Sequence, residues 1–236
     1  MKLKVKAVFL ALSLVPCALS LVAARASVRS VSFRAEDGRT INALIAEAET
    51  KPAPAVVLVP MLGRSKDDWQ NEAQRFAEAN ITALAIDLPG SQLPSNPGEL
   101  SVWTRDIQSA VAYLASRPEV RPGAIGVAGA SLGANLAAIA AAGNPQIRSV
   151  ALVSPSLDYR GVRIEAAMRQ LGERPALLVA STQDPYAARS VRELGKGGPG
   201  LREMRWSEQP AHGTVLLSRD GDVVRDLVQW FQRTLG

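Results

Sequence analysis

Hydrophobic positions along this chain repeat with two different periods. Val28 to Ala35 and Thr40 to Ala48 alternate apolar with polar residues, the period of a strand with one wet face. Asp37-Gly38 between them is a tight-turn pair, so the two segments predict an opening antiparallel hairpin. From Ala55 the pattern changes. Ala55–Val59, Ile81–Ile86, Ile147–Val153 and Pro175–Ser181 are short apolar runs, expected of strands covered on both faces, and Leu201–Trp206 reads as a last strand.

Between these runs the spacing becomes helical. Asp67–Ala79 places Trp69, Ala73, Phe76 and Ala77 on one side. Glu99–Ser116 repeats Val102, Trp103, Ile107, Ala110, Val111 and Leu114, and Arg117-Pro118 closes it. Val162–Leu171, Tyr186–Leu194, Gly213–Ser218 and Asp222–Leu235 are further expected helices. Segments rich in Pro and Gly, Thr50–Pro54, Asp87–Gly98 and Gly195–Gly200, read as connectors. Alternating strand and helix predicts an α/β fold. It is a mostly parallel twisted sheet of about eight strands with helices on both faces and an antiparallel hairpin at one edge. About twenty residues separate Val153 from Pro175. That leaves no room for an inserted lid domain, so an open site with a shallow pocket is expected.

The amino terminus does not belong to this pattern. Lys2, Lys4 and Lys6 precede an apolar, uncharged run from Ala7 to Ala23, and Ala24-Arg25-Ala26 is an A-x-A cleavage pattern. Residues 1–26 therefore read as a signal peptide, and 27–236 as one α/β domain of a periplasmic or secreted protein. An uncleaved membrane anchor is the runner-up, but Pro16 breaks the span, which is short for a full crossing. Lipidation at Cys17 is a further alternative, with Pro16 standing where a small residue is expected.

The leader also carries most of the net charge. The formal +5 includes Lys2, Lys4, Lys6 and Arg25; without those four the chain has 23 basic and 22 acidic residues. Nothing in that balance calls for a nucleic-acid partner. Cys17 is the single cysteine, so the chain after the leader has neither a disulfide nor a thiolate metal site.

The candidate chemistry starts in Ala124–Asn144. A short apolar run, Ile125–Ala128, leads into Gly129-Ala130-Ser131-Leu132-Gly133 and then an Ala-rich run with the composition of a buried helix. Strand, tight turn and helix with Ser at the apex form the nucleophile elbow, G-x-S-x-G. So sharp a turn strains the Ser backbone, and strand and helix must then approach with no Cβ at Gly129 and Gly133. The Ser131 hydroxyl is left at the carboxyl end of the sheet, with the positive end of the following helix aimed at it.

A Ser hydroxyl needs a base, and the base needs an orienting carboxylate. His212, in Pro210-Ala211-His212-Gly213-Thr214 after the last strand, is the single His of the chain. The carboxylate candidate is Asp184, in Ser181-Thr182-Gln183-Asp184-Pro185, just past the Ala176–Ala180 run. An Asp before Pro also suits a turn or a helix cap. Asp158 is its rival, set behind a Pro-Ser loop, while Asp87 precedes the Ser and reads as part of an Asp-Leu-Pro-Gly turn.

The order Ser, Asp, His, each in a loop at a strand's carboxyl end, resembles the α/β-hydrolase superfamily, and within it the small dienelactone-hydrolase-like members. The resemblance runs through Ala55–Gly63, Ala83–Gly90, Gly129–Gly133, Pro175–Pro185 and His212–Gly213. It implies an oxyanion hole of two backbone N–H groups, that of Leu132 and that of Met61 or Leu62. The chain departs from the family here, because Pro60-Met61 replaces the usual His-Gly. Pro60 has no N–H, but backbone donors survive a change of side chain.

The implied activity is hydrolysis of a small ester or related acyl bond through an acyl-enzyme on Ser131, with no metal or organic cofactor. The expected partner is a small acyl substrate, with no nucleic acid and no membrane insertion after leader removal. The alternatives are a catalytically silent binding protein of the same fold, and an acyltransferase using the same triad. Trp69, Trp103 and Tyr186 are expected in the core or on the surface rather than lining the pocket.

Overall fold

The computed structural model describes residues 26–92 and 97–236. The expected leader falls almost wholly outside them, as does part of the Asp87–Gly98 loop. The strands are β1 (Val28–Arg34), β2 (Thr40–Ala46), β3 (Ala53–Val59), β4 (Thr82–Ile86), β5 (Val120–Ala130), β6 (Ile147–Val153), the short β7 (Asp158–Tyr159) and β8 (Val162–Arg163), β9 (Ala176–Ser181) and β10 (Arg202–Ser207). The helices are α1 (Gln70–Glu78), α2 (Pro97–Ala115), α3 (Leu132–Gly143), α4 (Glu165–Gln170), α5 (Pro185–Leu194), α6 (Thr214–Arg219) and α7 (Gly221–Leu235).

Eight strands form one sheet in the order β1-β2-β4-β3-β5-β6-β9-β10. The pairs β1/β2 and β2/β4 are antiparallel; every other pair is parallel. The expected architecture of a mostly parallel sheet with an antiparallel hairpin at one edge is therefore the observed one. The two-residue strands β7 and β8 pair with each other outside the sheet. No inserted lid domain follows β6; a hairpin and one short helix fill the interval.

Apolar residues of the central strands alternate between two cores, because successive side chains point to opposite faces. Ala55, Val57 and Val59 of β3 join a core built with α2, α3, α4 and α5. Val56 and Leu58 join a second core built with α1, α6 and α7. Each face is thus covered, which is why the parallel strands read as continuous apolar runs. Nine of the twelve residues of α3 are buried, and it is small-residue rich because it lies deep in the first core. On the other face, Trp230 and Phe231 of α7 are fully buried. The Trp230 indole donates to the Val150 carbonyl at 3.1 Å, and Phe231 meets Phe76 edge-on at 5.8 Å. Burying each such ring contributes about 2–3 kcal/mol.

Two expected elements differ. The helix over Asp67–Ala79 opens with a 3-10 turn, Lys66–Trp69, capped by the Ser65 side chain. The helix over Val162–Leu171 is shorter, because Val162 and Arg163 are used in the hairpin with Asp158 and Tyr159. Arg160 and Gly161 both take positive φ, 50° and 90°, as a two-residue hairpin turn of this hand requires. Asn135 of α3 holds the hairpin: its side-chain amide donates to the Ser156 and Val162 carbonyls and accepts from the Ser156 N–H.

Glu72, on the buried side of α1, is 6% exposed and makes no ion pair among the described residues. Burial pushes its carboxyl above the ordinary 4.5. A carboxyl raised in the fold favours the protonated form. Its contribution is thus intact below the ordinary value and is lost as pH climbs through the raised one. Glu72→Gln is expected to raise the melting temperature at pH 7 by about 2–4 °C, the effect of roughly 1 kcal/mol in a domain this size. The gain should fade as the pH falls toward 4, which thermal melts across pH 4–8 will measure.

Candidate active site

The parallel strands bring Ser131, Asp184, His212 and the Met61–Leu62 loop to one edge of the sheet. Ser131 joins the end of β5 to the start of α3, at φ 52° and ψ −121°. Its N–H donates to the Val153 carbonyl of neighbouring β6 at 2.8 Å, and its carbonyl accepts from the Ala134 N–H at 2.9 Å. Two glycines make this turn possible. A Cβ on Gly129 would stand 2.7 Å from the Ala134 nitrogen, and one on Gly133 would stand 2.6 Å from the Val59 carbonyl oxygen. Real side chains do not approach backbone so closely. The first turn of α3 is therefore seated against the end of β3, beside the loop that carries Met61 and Leu62.

His212 lies five residues past β10, in the loop before α6. Its Nε2 is 2.8 Å from Ser131 Oγ, and its Nδ1 is 2.5 Å from Asp184 Oδ2. An ionised carboxylate only accepts, so Nδ1 carries the proton toward Asp184 and Nε2 is free to accept from the Ser131 hydroxyl. Asp184 also caps α5, where Oδ1 accepts from the Ala187 N–H at 3.2 Å. One oxygen thus fixes the carboxylate to the helix and the other meets the imidazole. The His212 side chain is 46% exposed and that of Asp184 18%, so the edge is open to solvent on the imidazole side.

The His212 loop is tied down on several sides. The Ser181 hydroxyl donates to the Gln209 carbonyl at 2.6 Å, and the Gly213 N–H donates to Ser154 Oγ at 3.0 Å. Gly213 itself sits at φ 59°. Ser154 is fully buried at the end of β6 with φ 51°, a residue the amino-acid pattern alone did not single out.

The other candidates fall elsewhere. Asp158 accepts from the Gly161 N–H at 2.6 Å and pairs with Arg163 at 2.7 Å. The Arg163 guanidinium, then the Gly161 N–H, hold its carboxyl below the usual carboxylate range. It is a hairpin residue and does not meet His212. Asp87 accepts from both the N–H and the ammonium of Lys66, so it anchors the 3-10 turn. Trp69 and Trp103 are buried, whereas Tyr186 is half-exposed and donates to the Asp158 carbonyl at 2.6 Å.

The N–H groups of Leu132, Met61 and Leu62 donate to no backbone carbonyl outside regular structure among the described residues. Leu132 is the first residue of α3, whose N–H has no partner within the helix. Beside the Met61 loop lies a cleft of about 490 Å³, lined in part by Gly63, Arg64, Leu88 and Ser91. No set of three or more His, Cys, Asp or Glu side chains suited to a metal occurs among the described residues.

Residues 56–235 match the model of the alpha/beta hydrolase family. The chain belongs to the alpha/beta hydrolase family. A dienelactone hydrolase from Anabaena variabilis superposes with a TM-score of 0.76 at 17% identity, covering 90% of this chain and 100% of that one. At that identity the likeness is one of fold. By sequence, this α/β hydrolase is 29% identical over 176 residues to a polyketide transferase from Stachybotrys chlorohalonatus, covering 72% of this chain and 59% of that protein. It is 32% identical over 136 residues to a thiohydrolase from Arthrinium phaeospermum, covering 53% of this chain and 42% of that protein. The chain thus spans about half the length of these two relatives. No helix among the described residues is long and apolar enough to cross a membrane.

Proposed function

We propose that this α/β hydrolase is a serine hydrolase that cleaves a small ester or related acyl bond through an acyl-enzyme on Ser131. The observation that carries the reading is the continuous chain of contacts Ser131 Oγ, His212 Nε2, His212 Nδ1 and Asp184 Oδ2, at 2.8 and 2.5 Å. In the first half-reaction Ser131 Oγ attacks the acyl carbon and its proton passes to His212 Nε2. Asp184 keeps Nδ1 protonated and stabilises the imidazolium. The N–H of Leu132 and that of Met61 or Leu62 receive the oxyanion. Collapse expels the alcohol or thiol, which takes the proton from His212. Water, activated by the same imidazole, then releases the acid.

A second reading keeps every step but the last. One relative is named a polyketide transferase, which supports an amine, thiol or alcohol in place of water as acyl acceptor. The open edge at His212 suits an acceptor approaching from solvent. We extend the proposal to export: cleavage after Ala26 would leave Ser27 as the first residue of a periplasmic or secreted protein. Amino-terminal sequencing of protein recovered from outside the cytoplasm checks this, and a retained leader would refute it.

Turnover of p-nitrophenyl acetate and butyrate tests the triad. Ser131→Ala and His212→Ala should each lower kcat by about four orders of magnitude or more. Asp184→Asn should cost about a thousandfold or more, since the wrong tautomer is then held. Asp158→Asn should stay within about threefold, because that carboxylate serves a hairpin. If Asp158→Asn proves the more damaging of the two, the carboxylate is misassigned.

A further inference from the structure

The loop after β3 and the His212 loop come from distant parts of the chain, yet they are joined by two contacts that meet at one residue, Thr214. The Thr214 hydroxyl donates to Asp68 Oδ2 at 2.8 Å. The Thr214 N–H points at the Met61 thioether, 3.4 Å away. Thr214 is 4% exposed and opens α6, directly after His212 and Gly213. Asp68 belongs to the 3-10 turn that follows the Met61 loop, and its side chain is 17% exposed. The same Oδ2 also accepts from Arg64 Nε at 2.7 Å.

These contacts are not the ordinary dressing of a helix start. The N-cap of α6 is Gly213, which has no side chain to cap with. Thr214 makes no local cap either; its hydroxyl reaches across the chain to Asp68. The Met61 thioether takes one of the helix's orphan N–H groups instead, though sulfur is a weak acceptor. Gly213 has to be glycine for this to happen, because a Cβ there would overlap Met61 Sδ. A hydroxyl–carboxylate hydrogen bond, a weak sulfur contact and a close approach thus hold the His212 backbone against the segment that would supply the second oxyanion donor.

We propose that Thr214, with Asp68 and the Met61 side chain, is a positioning residue that fixes the distance between the catalytic imidazole and the oxyanion-donor loop. This rests on the serine-hydrolase reading given above. The base and the donor must serve one tetrahedral intermediate, whose attacking oxygen and oxyanion sit on the same carbon. A shift of His212 relative to the Met61 loop spoils one of the two when the other is satisfied. Misplacement of about 1 Å can cost on the order of a hundredfold in rate. Ground-state binding of the acyl group does not depend on this spacing, so the loss falls on kcat rather than KM.

Thr214→Val, Thr214→Ser, Asp68→Ala and the Asp68→Ala/Thr214→Val double variant test this with p-nitrophenyl butyrate. Rates are expressed per active site, counted by end-point titration with a fluorophosphonate so that misfolded protein drops out. Thr214→Val keeps the shape and removes the hydroxyl; it should lower kcat about ten- to hundredfold, with KM changed by less than about twofold. Thr214→Ser should recover most of the loss. The double variant should fall little below the worse single one, as expected of a pair acting as a unit.

A kcat for Thr214→Val within about twofold of wild type overturns the proposal. So does a Thr214→Ser variant as slow as Thr214→Val, or a loss carried by KM. If the wild type neither turns over the ester nor takes the fluorophosphonate, the serine-hydrolase reading itself fails, and this inference with it. An active wild type with an indifferent Thr214 removes the inference alone.

Discussion

One close approach governs this molecule: the first turn of α3 pressed against the carboxyl end of β3. No side chain can stand at Gly133, where a Cβ would strike the Val59 carbonyl, nor at Gly129, where it would strike the Ala134 nitrogen. With that contact made, the chain between β5 and α3 has one residue in which to reverse, and Ser131 takes the strained φ of 52°. Such a backbone costs about 1–3 kcal/mol and persists only when its surroundings over-determine it. Here they do. Ser131 is held by the Val153 carbonyl on one side and the Ala134 N–H on the other, between a buried strand and a buried helix.

The same approach leaves backbone N–H groups near Ser131 without carbonyl partners among the described residues. The Leu132 N–H opens a helix and has no intrahelical partner, and the Met61 loop leaves the strand that Gly133 touches. A hole built from these backbone N–H groups, as proposed, would not depend on the side chains of Pro60 and Met61, because its geometry would come from the strand end. The side chain of Met61 is then released for other use, and it packs on Gly213. Asp184 shows a similar economy. Its Oδ1 accepts from the Ala187 N–H at the α5 cap, which leaves Oδ2 aimed at His212.

The fold was readable because its central strands are covered on both faces. Runs as short and as continuously apolar as Ala55–Val59 and Ile147–Val153 suit a strand buried on both sides, and the helices between them keep a clear period. The elbow was readable because its glycines are a steric necessity. The hairpin β7/β8 is not legible, since two-residue strands have no periodicity and Arg160-Gly161 is a poor turn signal, so Val162 and Arg163 read as the start of a helix. In the sequence Asp184 stands directly behind a strand end and Asp158 behind a Pro-Ser loop, and the structure puts Asp184 beside His212 and Asp158 in the hairpin. Asp68, Ser154 and Thr214 carried no local signal at all. Their roles come from contacts between residues far apart in the chain, with 146 positions separating Asp68 from Thr214.

Acyl transfer by this route requires Ser131 to be an activated nucleophile, which an unassisted hydroxyl at neutral pH is not. Reaction with a fluorophosphonate, followed by intact-mass and peptide analysis, measures that property with no assumption about the substrate. One phosphonyl group per chain, on the peptide containing Ser131 and greatly slowed in His212→Ala, is the predicted result. Protein that stays unmodified, or is modified at another residue with Ser131 untouched, would contradict it.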